Sequence, residues 1–229
     1  MTRLLVSVEG ETEEQFVNGI LRTHLGHKGY DSISARLIGD ARSRRRRGGI
    51  CKWSEAKPDI LRHLKQDAGQ VVSIMVDYYA LPQDWPGRAT APGKHFSNRV
   101  AHLRESLIHD LKPDMDNIDL HSRFVPCILM HEFEALLFSN CAAFADAVSE
   151  DVAADMQAIV DKFDSPEAIN DSPQTCPSKR ISGLIPNYQK PLFGYIGASA
   201  IGLERIREKC VQFDVWLKDL EIVGANHIK

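Results

Sequence analysis

The sequence predicts an α/β fold, with a mostly parallel sheet flanked by helices and a helical C-terminal annex. Three observations carry this expectation. Short apolar runs at residues 4–8, 71–76 and 124–130 alternate with segments whose apolar side chains recur every three to four positions, the rhythm of β-α-β units. The run at 71–76, Val-Val-Ser-Ile-Met-Val, is almost unbroken, as befits a strand covered on both faces. From about residue 142 onward only helical spacing remains. The expected division is an α/β core over 1–141 and an annex over 142–229 packed on it.

In chain order, residues 4–8 form a short β-branched strand ending at Glu9-Gly10. Thr12, three residues before Gln15, has capping-box spacing, and Phe16, Ile20 and Leu21 supply the helical face behind it. Residues 34–37 are a weaker strand, and 41–49 a polar, arginine-rich loop closed by glycines. Residues 53–65 read as a helix kinked or started by Pro58, and 81–93, rich in Pro and Gly, as a long loop. Val100, Leu103, Leu107 and Leu111 mark a helix over 98–111, and the strand at 124–130 leads into a helix over 131–138. Beyond it, Ser165-Pro166-Glu167 has the form of a helix start. Residues 171–185 look loop-rich, and 196–210 and 213–220 look like closing helices.

Composition narrows the classes. Hydrophobic residues make up 43% and charged residues 26% of 229, ordinary for a soluble globular protein. No apolar run approaches the ~18 residues that span a bilayer, and Met1-Thr2-Arg3-Leu4 runs straight into a strand without a signal-peptide core. A cytoplasmic protein with no membrane partner is expected. Five scattered cysteines without a CxxC pair argue against a disulfide framework and a zinc knuckle. A net charge of −3 provides no global attraction to nucleic acid, so such binding must come from local basic patches.

The acids carry the functional signal. In open parallel sheets, ligands bind beyond the carboxyl ends of the strands. Glu9 follows the first strand, Asp77 follows the run at 71–76, and His131-Glu132-Phe133-Glu134 follows the run at 124–130. Were these strands neighbours, the carboxylates would meet at one rim, offering the oxygen ligands that Mg²⁺ takes. Each acid also has an ordinary reading, Glu9 as a solvated acid near a helix N-terminus and Asp77 as a strand-end acid. Glu132 and Glu134, at i and i+2, do not share a helix face, so which of them points inward stays open. His131 offers a proton carrier, although a histidine opening a helix is commonly structural.

Here the residues carry a resemblance. Val8-Glu9-Gly10-Glu11-Thr12-Glu13 resembles the first motif of Toprim domains, shared by topoisomerases, bacterial primases and the nucleases of overcoming-lysogenization-defect proteins. The chain is more specifically similar to the bacterial family DUF4276. The segments that carry this likeness are Val8-Glu9-Gly10, Val76-Asp77-Tyr78-Tyr79, Pro82 to Pro86-Gly87, His131-Glu132-Phe133-Glu134-Ala135-Leu136-Leu137-Phe138, Ser165-Pro166-Glu167-Ala168-Ile169-Asn170, Pro177-Ser178-Lys179-Arg180 and Cys210 through Trp216-Leu217. The resemblance implies a Toprim-like sheet and a metal site of Glu9, Asp77, Glu132 and Glu134 holding Mg²⁺ or Mn²⁺. Toprim proteins usually carry Asp-x-Asp where this chain has Asp77-Tyr78-Tyr79, so a second metal would need ligands from Glu132 or Glu134.

Two basic elements complete the reading. Arg42 and Arg44, Arg45, Arg46 and Arg47, with Lys52 and Trp53 beyond, would neutralise phosphates and offer a stacking surface, or else form a solvated loop. Lys179, Arg180 and Lys190 lie where the resemblance places a clamp on the charge of a pentacovalent phosphate, while the plain alternative has Ser178 capping a helix and its neighbours facing water. The expected activity is a Mg²⁺-dependent nuclease acting on DNA phosphodiesters, with Lys179 among the catalytic groups. The rival expectation is a non-catalytic subunit that binds nucleic acid or an ATPase. The resemblance further implies an ABC-type or AAA-type ATPase partner in an anti-phage or DNA-processing system, docking on the helical region, and a chain that cuts poorly alone.

Overall fold

The computed structural model describes residues 1–39, 50–94, 96–115, 119–169 and 172–226. Arg42 and Arg44 through Arg47 lie outside these residues. Four parallel strands, β1 (Arg3–Val8), β2 (Ser32–Leu37), β3 (Gln70–Asp77) and β4 (Cys127–Leu129), form one sheet in the order β2-β1-β3-β4. Leu4 stands opposite Ile33 on one side and Val71 on the other. The order turns at β1, which places the topological switch point of the sheet between β1 and β3. As the near-continuous apolar run predicts, every residue of β3 after Gln70 is buried. The strand expected over 124–130 contracts to Cys127–Leu129, preceded by a single parallel bridge of Phe124 to Val72. Pro126 explains the break, since it has no N–H to offer the ladder and is tolerated only at an edge.

The helices follow the expected rhythm with local differences. α1 (Glu11–Phe16) continues through a π-helical turn (Val17–Leu21) into α2 (Arg22–Gly26). Its cap lies two residues ahead of the Thr12–Gln15 pair: Gly10 is the N-cap, and its N–H donates to Glu13 Oε2 at 3.0 Å. α3 (Trp53–Gln66) runs through Pro58, and α4 (Phe96–Leu111) and α5 (Leu120–Arg123) precede β4. Arg123 donates to the carbonyls of Leu64 (2.8 Å), Asp67 (2.6 Å) and Gln70 (2.8 Å), closing the turn from α3 into β3.

After β4 the expected α-helix over 131–138 is a 3₁₀ segment, Phe133–Ser139, whose side chains are all buried. A segment buried on all sides has no solvent-facing stripe from which its winding could be read. α6 (Cys141–Val148), α7 (Ala153–Val160), α8 (Pro177–Leu184), α9 (Lys190–Ile201), α10 (Leu203–Lys209) and α11 (Val211–Asn226) complete the chain. The helix start expected at Ser165 is only a 3₁₀ turn (Pro166–Ala168), whereas α8 occupies a stretch that reads as loop. No described helix is long and apolar enough to cross a membrane.

The chain forms two compact units. The first comprises residues 1–76, 80–128 and 216–229, and the second 77–79 and 129–215; the sequence reading places a single boundary at 141/142 instead. In the first unit Trp216, 1% exposed, donates its indole N–H to Ser73 Oγ (3.1 Å) and Val125 O (3.2 Å). In the second, Gly197 allows α9 to lie against α6, because a Cβ there would stand 2.4 Å from the Phe144 ring.

Glu167 performs a capping role that the sequence does not announce. Its carboxylate accepts the backbone N–H groups of Gln212 and Phe213, both at 3.0 Å, at the start of α11. Burial pushes this carboxyl above its ordinary range, and the N–H groups of Gln212, Phe213 and Val211 draw it back. Glu167→Ala strands those donors in a buried place and is expected to cost about 1–3 kcal/mol. Glu167→Gln, which keeps an acceptor, should cost less. Urea unfolding of the two variants checks this; equal stability of Glu167→Ala and wild type would remove the capping role.

Candidate functional site

The second unit gathers most of the sequence-predicted acids. Its short segment Asp77–Tyr79 runs beside Leu129–His131: the Tyr78 N–H donates to Leu129 O at 2.9 Å and the Tyr79 N–H to His131 O at 3.0 Å. This pairing carries Asp77, the last residue of β3, to the start of the 3₁₀ segment. There Asp77 Oδ1 accepts the Phe133 N–H at 3.0 Å. His131 is buried, edge-on to Tyr78 with ring centroids 5.9 Å apart.

Glu132 and Glu134 face different partners, as the i, i+2 spacing requires. Both oxygens of Glu132 are held by one residue: the Ser178 N–H donates to Oε2 at 2.8 Å and the Ser178 hydroxyl to Oε1 at 3.1 Å. Ser178 is therefore not the helix cap of the plain reading. Cys176 stands at the N-cap of α8 and Pro177 follows it, leaving Ser178 free to reach Glu132.

Glu134 Oε1 pairs with the Lys190 ammonium at 3.0 Å, with the Glu134 side chain only 2% exposed and that of Lys190 49%. Burial pushes the Glu134 carboxyl above its ordinary range; Lys190 counters this and the charge of Glu132 reinforces it. For Lys190, burial works against the charged form, but Glu134, Glu132 and Asp77 outweigh it and hold the ammonium well above its usual range. Lys190 opens α9, where a cation opposes the helix dipole. The acids are what make that placement tolerable. Glu134 is thus the direct partner of Lys190, and the charges of Glu132 and Asp77 act on the same ammonium from further off.

The remaining candidates are distributed differently. Glu9 belongs to the first unit, half-buried directly after β1, with its N–H bonded to Met75 O at 3.3 Å. Lys179 is exposed on α8. Arg180 turns back locally, donating to Thr175 O at 2.6 Å and lying 5.4 Å from the centroid of the Phe163 ring.

Carboxylate oxygens are the donors a hard divalent cation takes, and an excess of acid over base suits a positive guest. Among the described residues no group of three or more His, Cys, Asp or Glu stands ready as a metal cluster. Mg²⁺ does not require one, since it is commonly held by one or two carboxylates together with substrate phosphates and water. Asp77 and Glu132 are buried carboxylates of that chemistry, each with acceptor positions beyond the hydrogen bonds given above, while Glu134 is engaged by Lys190. Two roles here escape the sequence, the grip of Ser178 on Glu132 and the capping by Glu167. Their partners lie about 45 residues away, beyond any local periodicity.

Among known families, the model of DUF4276, described as a domain of unknown function, matches residues 8–221. No curated protein and no solved structure matches.

Proposed function

The chain belongs to the DUF4276 family, and from that membership together with the acid cluster we propose that it is a Mg²⁺-dependent, Toprim-like nuclease acting on DNA phosphodiesters. The observation that carries the reading is the ion pair of the buried Glu134 with Lys190, whose ammonium the charges of Glu132 and Asp77 also help to hold in its charged form. A site with this balance binds a cation and a phosphate together, because each neutralises what the other brings. Asp77 and Glu132 would hold Mg²⁺ or Mn²⁺. When bound, such an ion polarises a phosphoryl oxygen and lowers the pKa of an attacking water. Lys190, half-exposed, would turn from Glu134 towards the phosphate oxygens and stabilise the charge that grows on them. Lys179, exposed on α8, and Arg180 are the further phosphate contacts of the proposal; Arg44 through Arg47, outside the described residues, remain proposed DNA contacts on their sequence alone. Glu9 remains a proposed ligand on its place directly after β1 and on the resemblance.

A second reading has its own support. Asp77 and Glu132 already accept hydrogen bonds that secure a 3₁₀ segment and α8, as structural acids would in a non-catalytic subunit that binds nucleic acid or an ATPase. Nicking of supercoiled plasmid by the purified chain, with and without Mg²⁺ or Mn²⁺ and with and without an ABC-type or AAA-type ATPase of the kind the resemblance implies, separates the two. The nuclease reading expects slow, metal-dependent nicking that the ATPase accelerates, since a chain of net charge −3 holds DNA only in the non-specific range of ~10⁻⁴ to 10⁻⁶ M. Absence of cleavage in every arm overturns it in favour of the subunit. Vigorous cleavage by the chain alone at physiological salt would support the chemistry and remove the partner.

A further inference from the structure

We infer that Ser178 is a positioning residue that holds the Glu132 carboxylate in the orientation from which it binds a divalent cation. The inference rests on the proposed nuclease reading and names a residue which that reading does not use. Its basis is geometric. Glu132 and Ser178 are both 6% exposed, and the two contacts fall on different oxygens of one carboxylate, N–H to Oε2 at 2.8 Å and hydroxyl to Oε1 at 3.1 Å. A single hydrogen bond leaves a carboxylate free to rotate about its last torsion. Two bonds from one rigid residue fix its plane.

The same grip leaves the carboxylate able to ligate. An ionised carboxylate offers about four acceptor positions, and Ser178 occupies one on each oxygen. The N–H comes from the first turn of α8, an eight-residue helix, whose positive end favours the ionised form that a cation needs. The Cys176 thiol lies 3.7 Å from Ser178 Oγ. With the thiol donating, the serine proton is directed to Glu132. Glu134 differs, its carboxylate being paired with the Lys190 ammonium at 3.0 Å.

A purely structural role for this contact predicts something else. If Glu132 serves only to secure α8, the backbone N–H accomplishes that and the hydroxyl matters for stability alone. Ser178→Ala removes the hydroxyl and keeps the N–H, so it separates the two roles. Loss of an outer partner of a metal-ligating group commonly costs about 10–100-fold in metal affinity.

The test is equilibrium binding of Mn²⁺ to the full chain, read as the signal of free Mn²⁺ by electron paramagnetic resonance, with thermal midpoints measured in chelator. Ser178→Ala should bind Mn²⁺ ~10-fold or more weakly than wild type, with the metal-free midpoint reporting separately what the lost hydroxyl costs in stability. Ser178→Thr, which retains the hydroxyl, should restore the affinity. In a Glu132→Gln background Ser178→Ala should add no further loss, as expected when one residue acts through the other. Wild-type affinity in Ser178→Ala, or an undiminished additional loss in the Glu132→Gln background, overturns the inference alone. A wild-type chain that binds no Mn²⁺ saturably overturns the metal site itself, and the role of Ser178 with it.

Discussion

Asp77→Asn is expected to lower metal-dependent cleavage by ~100-fold or more while leaving the thermal midpoint near that of wild type. The structure explains why the two effects should part. Asp77 Oδ1 accepts the Phe133 N–H at 3.0 Å, and the carbonyl oxygen of an asparagine accepts the same bond in the same place. The anchor of the 3₁₀ segment therefore survives, and what disappears is one negative charge of the site. Asp77→Ala removes the acceptor as well, so it should destabilise, and the pair of variants distinguishes charge from anchoring. The measurement is initial nicking rate in Mn²⁺ alongside a thermal melt. A near wild-type rate for Asp77→Asn would take Asp77 out of the chemistry and leave it a structural acid, as the subunit reading has it.

The largest stability effect is expected from Trp216→Ala, about 3–5 kcal/mol. Trp216 is 1% exposed, and α11 brings its indole to the middle of β3 and to the bridge before β4 through Ser73 Oγ and Val125 O. The Ser73 hydroxyl itself donates to Val125 O at 2.5 Å, so truncation leaves that carbonyl satisfied, and the cost is mainly the cavity. For a chain of this length such a loss lowers the thermal midpoint by roughly 10 °C or more. Trp216→Phe should fall between the two, losing a donor and part of the volume. A midpoint for Trp216→Ala within ~2 °C of wild type would show that the last helix contributes little to the first unit.

The strands were legible because burial on both faces writes an unbroken apolar run. The run at 71–76 became β3, Gln70–Asp77, nearly residue for residue. The strand at 124–130 is shorter than its hydropathy suggests because Val125 and Ile128 look alike in hydropathy, while Pro126 decides which of them can join a ladder. The winding of the segment after β4 is illegible for the opposite reason: seven consecutive buried residues carry no periodicity, and packing rather than propensity selects their winding. α8 is hidden in the sequence because Pro177, Ser178 and Gly183 read as loop residues. Its N-terminal turn is held from outside by Glu132.

At the site, positions at strand ends nominate Glu9, Asp77, Glu132 and Glu134 as candidates, and the resemblance adds Lys179, Arg180 and Lys190. Their partners are not legible in the sequence. The spacing of Glu132 and Glu134 requires that they diverge, but not that one goes to Ser178 and the other to Lys190, because those residues arrive from helices about 45 to 55 positions downstream. Local chemistry along the chain thus determined the parallel α/β class, the family and the identity of the acids. Only the tertiary structure decided the roles. Whether a buried carboxylate is an anchor, an ion-pair partner or a ligand depends on which donors the fold brings within about 3 Å of it, and that choice is made by packing between segments far apart in sequence.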